Sequence, residues 1–347
     1  MANNTFVLMH DSFVNRCQPL PAGSKLCILG AGFSGSRLAS LASALEIPVI
    51  STRREPSPDS EHLAFDTATG QAPDRRQLEG ITHLLNTIPP DRDGNDPVLK
   101  TLGDQIQQWP LRWVGYLSTT GVYGNTDGAW VCEDDPPEPT QNRSRRRLAC
   151  EQEWQARGLP LQILRLPGIY GPGRSALAAV KAGTLQPVDK PGQMFCRIHV
   201  DDVAAACLHL MHRSAQGQHP EIVNVCDDEP AASVSVHRYA ASLLNCELPQ
   251  PKPFTEAEAS MSAMARAGWA GAGRGEGALA SNAGWRALLP PAAAPPRGPR
   301  RRGGQTAGAT TAVASAPRAC ASNCVRAHSG HGRRVSSLQC ALPAGDL

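Results

Sequence analysis

The first residues able to do chemistry are three glycines in the run Gly30-Ala31-Gly32-Phe33-Ser34-Gly35. A short apolar stretch, Lys25 to Leu29, precedes them. Ser36 to Leu45 follows and reads as a helix, because Leu38, Leu41 and Leu45 recur at helical spacing. In a strand, glycine loop, helix order each glycine has a separate role. The first permits the tight turn, the second lets the backbone approach a pyrophosphate, and the third lets helix pack on strand. The helix N-terminus then faces the negative charge. The loop therefore predicts dinucleotide binding. Its plainer alternative is an ordinary glycine turn between strand and helix.

The next strand-like run, Pro48 to Ser51, ends in Thr52-Arg53-Arg54. A site for NAD usually carries an acid about 20 residues beyond the loop, to hold the ribose 2′-hydroxyl. Here hydroxyls and two guanidinium forks stand in that place, and such forks suit a 2′-phosphate. The expected cofactor is NADP, with NAD as the alternative. A solvated arginine pair at a strand end is the competing explanation for Arg53 and Arg54.

These residues need a frame. From Lys25 to about Arg266 apolar strand-like runs alternate with helix-like stretches, the pattern of an α/β fold with a parallel sheet. Residues 1–24 are polar and irregular and read as a flexible leader. Residues 267–347 are mostly Ala, Gly, Pro, Arg and Ser, keep neither helix nor strand period, and read as a disordered tail. A GC-rich gene read out of frame past codon 266 would produce the same composition. Translating the other two frames beyond that codon checks this: a helical, Leu-containing ending is expected in one of them.

Composition narrows the function classes. The 347 residues suffice for a large core, and a net charge of +3 with 5% aromatic residues gives no general push toward nucleic acid. No run of about 18 apolar residues points to a membrane span. The 11 cysteines and 10 histidines show neither C-x-x-C nor H-E-x-x-H spacing, so no metal site is expected. A cytoplasmic protein with reduced thiols, a small-molecule substrate and a homodimeric form is the expectation.

Further segments then carry a resemblance. Leu84 to Pro90, Tyr116 to Gly124 (YLSTTGVYG), Arg165 to Gly173 (RLPGIYGPG), Arg197 to Ala204 (RIHVDDVA) and Asn224 to Pro230 follow the glycine loop in order. With it they resemble the extended or atypical short-chain dehydrogenase/reductases, in the NAD-dependent epimerase/dehydratase group. The likeness covers about residues 25–266. It implies a Rossmann-type doubly wound parallel sheet with a small C-terminal substrate lobe within about 170–266. The cofactor-contacting set it implies is Gly30, Gly32, Phe33, Ser34, Gly35, Thr52, Arg53, Arg54, Asp66, Asn86, Thr87, Pro167 and Ile169.

The resemblance also implies a Tyr acting as acid/base, a Lys four residues later on the same helix, and a Ser or Thr on the neighbouring strand. Thr119 takes the Ser/Thr position. The helix reads Asn142-Arg143-Ser144-Arg145-Arg146-Arg147-Leu148-Ala149-Cys150-Glu151. Aligned on its Leu-Ala-x-Glu ending, it places Arg143 at the Tyr and Arg147 at the Lys. Arginine stays protonated, so Arg143 cannot take a proton. Arg147 can still offer a fixed cation to ribose or phosphate. Tyr123 and Tyr170 are candidates for a relocated acid/base, although such aromatics in the family usually pack or line the site. Arg143, Arg147 and Glu151, four residues apart, also suit one solvated helix face with an internal ion pair. The remaining alternative for these arginines is an anion site for cofactor phosphate or a phosphorylated substrate. His199 reads as structural, and Asp201 and Asp202 as residues satisfying the amides of a helix start.

Two functional readings follow. One is an NADP-dependent oxidoreductase or epimerase/dehydratase acting on a sugar nucleotide or similar hydroxylated metabolite. The other is a catalytically weak NADPH-binding sensor or scaffold.

Overall fold

In the computed structural model, residues 17–126 and 128–261 are described, together with the backbone of Leu279–Ala280. The chain runs β1 (Leu26–Leu29), α1 (Phe33–Ala44), β2 (Val49–Arg53), β3 (Leu63–Ala64), β4 (His83–Asn86), α2 (Pro97–Ile106) and β5 (Trp113–Thr119). It continues with β6 (Trp130–Val131), α3 (Asn142–Gln155), β7 (Leu161–Leu166), β8 (Gly168–Tyr170), α4 (Ala176–Lys181) and β9 (Val188–Asp189). Then come β10 (Arg197–His199), α5 (Val200–Ala215), β11 (Ile222–Asn224), α6 (Ser233–Leu243), β12 (Lys252–Pro253) and α7 (Phe254–Ala257).

Seven strands form one sheet in the order β11-β7-β5-β4-β1-β2-β3, and every pairing in it is parallel. The chain starts near the middle, walks out to β3, then returns and builds outward from β4. The reversal of strand order on either side of β1 creates a crevice at the C-terminal strand ends, where ligands of such sheets bind. The expected doubly wound parallel fold is thus the observed one.

The strands read as continuous apolar runs because both faces are covered. All four residues of β1 are buried. On one face Ile28, Leu38, Leu41, Val203 and Leu210 pack together; on the other Cys27, Leu84, Leu102, Trp154 and Ile163 do so. Helix α2 starts where Asp96 caps the amides of Val98 and Leu99, at 2.9 and 3.0 Å, with Pro97 at the first helical position. The same carboxylate accepts from Trp154 Nε1 at 2.8 Å and so joins α2 to α3. Among the described residues no helix is long and apolar enough to cross a membrane.

The predicted leader ends earlier than expected. Leu20 is buried in the core cluster with Leu38 and Leu41, Cys17 packs on that cluster, and the Gln18 carbonyl lies 3.0 Å from His212 Nε2. Proline-flanked Leu20 belongs to the core, while residues 1–16 lie outside the described residues. Within the predicted tail only Leu279–Ala280 are described, as a short strand parallel to β6. The frame expectation and the rest of the tail lie outside the described residues.

His83 on β4 is 3% exposed and pairs its Nδ1 with Thr82 Oγ1 at 2.9 Å. Burial, reinforced by Arg112, lowers its pKa to about 4. The unfolded chain therefore binds a proton between about pH 6.5 and 4 that the folded chain refuses, so stability is lost as pH falls through that window. A loss on the order of 2–3 kcal/mol is expected from this one group. Urea unfolding at stepped pH should show it, with the dependence clearly flatter in His83→Gln.

Candidate functional site

The glycine loop is built by contacts that leave no room for side chains. Gly30 has φ +92°, and a Cβ there would lie 2.6 Å from Thr87 Oγ1 and 2.8 Å from Ile88 Cγ1. Thr87 Oγ1 donates to the Gly30 carbonyl at 2.5 Å, and Thr52 Oγ1 accepts from the Gly30 amide at 3.0 Å. A Cβ on Gly35 would collide with the Gly30 carbonyl oxygen, so this glycine sets how closely α1 approaches β1. Gly32 differs: a Cβ there would meet nothing within 4 Å. Gly32 is also the N-cap of α1 and makes no side-chain cap bond. The cap position of this 12-residue helix is thus open, and helix N-termini favour negative groups.

That space is a cleft of about 710 Å³ lined by Gly30, Gly32, Phe33, Ser36, Arg37, Arg53 and Arg54, among others. Arg53 donates to Ser36 Oγ at 2.9 Å, and Arg54 Nε lies 4.0 Å from Asp66 Oδ1. Arg37 on α1 forms a two-pronged ion pair with Asp201 on α5, with Nη2–Oδ2 at 2.9 Å. Asp201 is therefore an ion-pair partner rather than a helix cap. The cap of α5 is His199, whose Nδ1 accepts the Asp201 amide at 3.3 Å.

A second cleft, of about 580 Å³, opens beside the C-terminal ends of β5 and β7. Thr119, Arg143, Arg146, Arg147, Pro167, Ile169 and Arg174 line it, with Ser118 and Asp91. Thr119 Oγ1 accepts the Gly121 amide at 3.1 Å, which starts a single turn of 3₁₀ helix. Arg147 Nη1 donates to Tyr116 Oη and to the Leu117 carbonyl, both at 3.1 Å. At the boundary between the clefts the Arg174 guanidinium stacks 5.6 Å from the Phe33 ring centre.

Behind this wall lies a buried polar chain. Glu151, 1% exposed, accepts from the Ser118 hydroxyl and pairs with Arg165, Nη2–Oε2 at 2.7 Å and Nε–Oε1 at 3.3 Å. The Arg165 guanidinium lies 4.7 Å above the Tyr123 ring. Tyr123 donates its hydroxyl to Asn224 Oδ1 at 2.9 Å. A solvated helix face with an internal Arg–Glu pair is thus corrected: Arg143 is exposed, but Glu151 points into the core toward β7.

The expected site residues divide between these places. Gly30, Gly32, Phe33, Arg53 and Arg54 share the first cleft, and Thr119, Arg143, Arg147, Pro167 and Ile169 the second. Ser34, Gly35, Thr52, Asp66, Asn86 and Thr87 line neither and shape the loop or strand ends instead. Asn86, for example, is fully buried and accepts the Ile88 amide at 2.9 Å. Tyr123 lines neither cleft. It is 3% exposed, and burial pushes its pKa up to about 12. Tyr170 packs edge-on against His199 at 5.2 Å, its pKa raised by burial and the nearby Asp227. Arg37, Arg146 and Arg174 escaped sequence reasoning. Helical spacing was the available signal for two of them: Arg37 follows Phe33 by four residues, and Arg146 follows Arg143 by three.

Comparisons with known proteins agree with this geometry. Residues 101–226 match the NAD dependent epimerase/dehydratase family. A functionally unknown conserved protein from Silicibacter pomeroyi DSS is 38% identical, with 76% of this chain and 91% of that chain covered and a TM-score of 0.66. A putative NAD-dependent epimerase/dehydratase from Methylobacillus flagellatus is 25% identical over 77% of this chain and 92% of its own, with a TM-score of 0.59. Protein YeeZ of Escherichia coli (strain K12) is 30% identical over 174 residues, 48% of this chain; the chain spans 61% of that protein's length. The likeness to the NAD dependent epimerase/dehydratase family is thus carried by residues 101–226.

Removing the charge of Glu151 would leave Arg165 buried and uncompensated. Glu151→Gln is expected to lower the unfolding free energy by about 3–5 kcal/mol, read by urea denaturation. An unchanged midpoint would contradict the role given to this pair.

Proposed function

We propose that this protein is an NADP-dependent oxidoreductase or epimerase/dehydratase acting on a sugar nucleotide or similar hydroxylated metabolite in the cytoplasm. One observation carries the cofactor choice. Arg53 and Arg54 line the same cleft as Gly30, Gly32 and the uncapped start of α1. The residues present fit a dinucleotide. The open space over Gly32 suits close approach of a pyrophosphate, and two guanidinium forks at the end of β2 suit a 2′-phosphate. Asp66, 4.0 Å from Arg54, helps hold that fork at the cleft.

The chemistry supplied by a bound nicotinamide is hydride transfer. The chain's own contribution lies in the second cleft. Thr119 orients a substrate hydroxyl, Pro167 and Ile169 form the wall beside it, and Arg147 offers a cation fixed by Tyr116 and Leu117. Arg143 stands where the family's proton-transferring Tyr is expected, and a guanidinium cannot accept a proton at neutral pH. General acid/base catalysis typically contributes about 10²–10⁴-fold, so turnover is expected to be slow. That same substitution favours a second reading, a catalytically weak NADPH-binding sensor.

Dissociation constants for NADPH and NADH test the first claim. NADPH is expected to bind about tenfold tighter or more, and the double substitution Arg53→Ser with Arg54→Ser to remove most of that preference. A preference for NADH would sink it. NADPH oxidation across a panel of sugar nucleotides and carbonyl compounds separates the two readings: tight binding without turnover on any of them selects the sensor.

A further inference from the structure

Two cysteines distant in sequence meet beside the second cleft. Cys196 precedes β10 and lines that cleft, and Cys226 follows β11. They share one apolar cluster with Val122, Tyr123 and Val131. Backbone bonds hold their segments together. The Asp227 amide donates to the Arg197 carbonyl at 2.7 Å, and Phe195 and Ala231 exchange two bonds of 3.1 Å each. The two thiols are hydrogen-bonded to each other. Cys27, Cys150 and Cys207 differ. They are buried in the layers on the two faces of the sheet, line neither cleft, and burial pushes each thiol up to about 12.

The paired sulfurs are not equivalent. Cys226 is 1% exposed and lines neither cleft, whereas Cys196 meets the second one. The bond to Cys196, with burial, holds the Cys226 thiol above its ordinary value, and Asp227 and Glu133 press it the same way. Cys226 therefore keeps its proton and donates it. A donated S–H favours negative charge on the sulfur that accepts it, here Cys196. Arg197 adds a cation whose charge acts on Cys196. Its guanidinium is fixed by donating to the carbonyls of Phe195 and Ala231, both at 3.1 Å. A thiol that meets a cleft beside a cation, with a second thiol in contact, is the setting of a redox-active cysteine and its resolving partner.

We propose that Cys196 and Cys226 form a reversible disulfide driven by peroxide entering the second cleft, with Cys196 the attacking sulfur and Cys226 the resolving one. The Cys196 thiolate attacks one peroxide oxygen, the O–O bond breaks, and the leaving oxygen departs as water after taking a proton. Cys196 is then a sulfenic acid. The Cys226 sulfur displaces its hydroxyl, the S–S bond forms, and a second water leaves. Two thiols have given up two protons and two electrons, and the peroxide is reduced to two waters. A disulfide needs its Cβ atoms about 3.5–4.5 Å apart, and thiols already in hydrogen-bond contact on pinned segments approach that requirement without a shift of either strand. The inference is independent of what the cleft binds.

The test is to expose the reduced full-length protein to hydrogen peroxide, then denature it, block remaining thiols with N-ethylmaleimide and digest it for peptide mass spectrometry. A linked peptide pair joining Cys196 to Cys226 is expected, two hydrogens lighter than the reduced pair and lost after dithiothreitol. In Cys226→Ala the reaction is expected to stop at Cys196 sulfenic acid, trapped by dimedone. In Cys196→Ala, Cys226 is expected to remain a thiol. Both thiols intact in the native protein while exposed Cys246 is oxidised would overturn the proposal. So would Cys196 linked to any other cysteine, or Cys226 oxidised in Cys196→Ala. The native-protein result decides the matter even where a variant folds poorly.

Discussion

Arg165 brings a full charge into the sheet, 2% exposed, on the strand next to β5. An isolated charge at that depth is expensive to desolvate, and Glu151 meets it with two contacts from α3. That pairing sets where α3 sits. Once Glu151 is drawn toward β7, the residues one and two turns earlier, Arg147 and Arg143, are carried to the rim of the cleft. The hydroxyl of Ser118 completes the carboxylate's partners and ties β5 into the same arrangement. The Tyr123 ring covers the guanidinium, and its hydroxyl reaches Asn224 on β11. One buried ion pair thus registers three neighbouring strands and the helix that walls the second cleft.

The first cleft depends on a different constraint, the absence of side chains. Gly30 is crowded by Thr87 and Ile88, and Gly35 by the Gly30 carbonyl, so both glycines serve the protein's own packing. Gly32 has open space before it and serves whatever enters. The three glycines of one motif therefore do two kinds of work. The Arg37–Asp201 pair then locks α1 to α5, which keeps the open helix end rigid against the sheet.

The two clefts meet at Phe33 and Arg174, and their charges are arranged differently. Arg53 is tethered to Ser36 and Arg54 stands near Asp66, so the glycine-loop side has its cations beside partners. On the α3 side Arg143 and Arg146 make no hydrogen bond or ion pair among the described residues.

Strand runs, glycine spacing and the order of segments were local properties, and they sufficed for the parallel sheet, the loop before α1 and the arginines at the end of β2. Those features depend on neighbours within a few residues: a short apolar run, a turn that only glycine allows, a strand end. Arg143, Arg147 and Glu151 also lay in plain view, at helical spacing. Which of them faces water was settled by Arg165, which sits 14 residues from Glu151 in sequence and on another element. The same is true of Leu20, which looked like part of a leader until α1 and α5 offered it a core, and of Asp201, which resembled a cap until Arg37 claimed it. Burial and ion pairing are relations between distant parts of the chain, so only the tertiary structure could decide them.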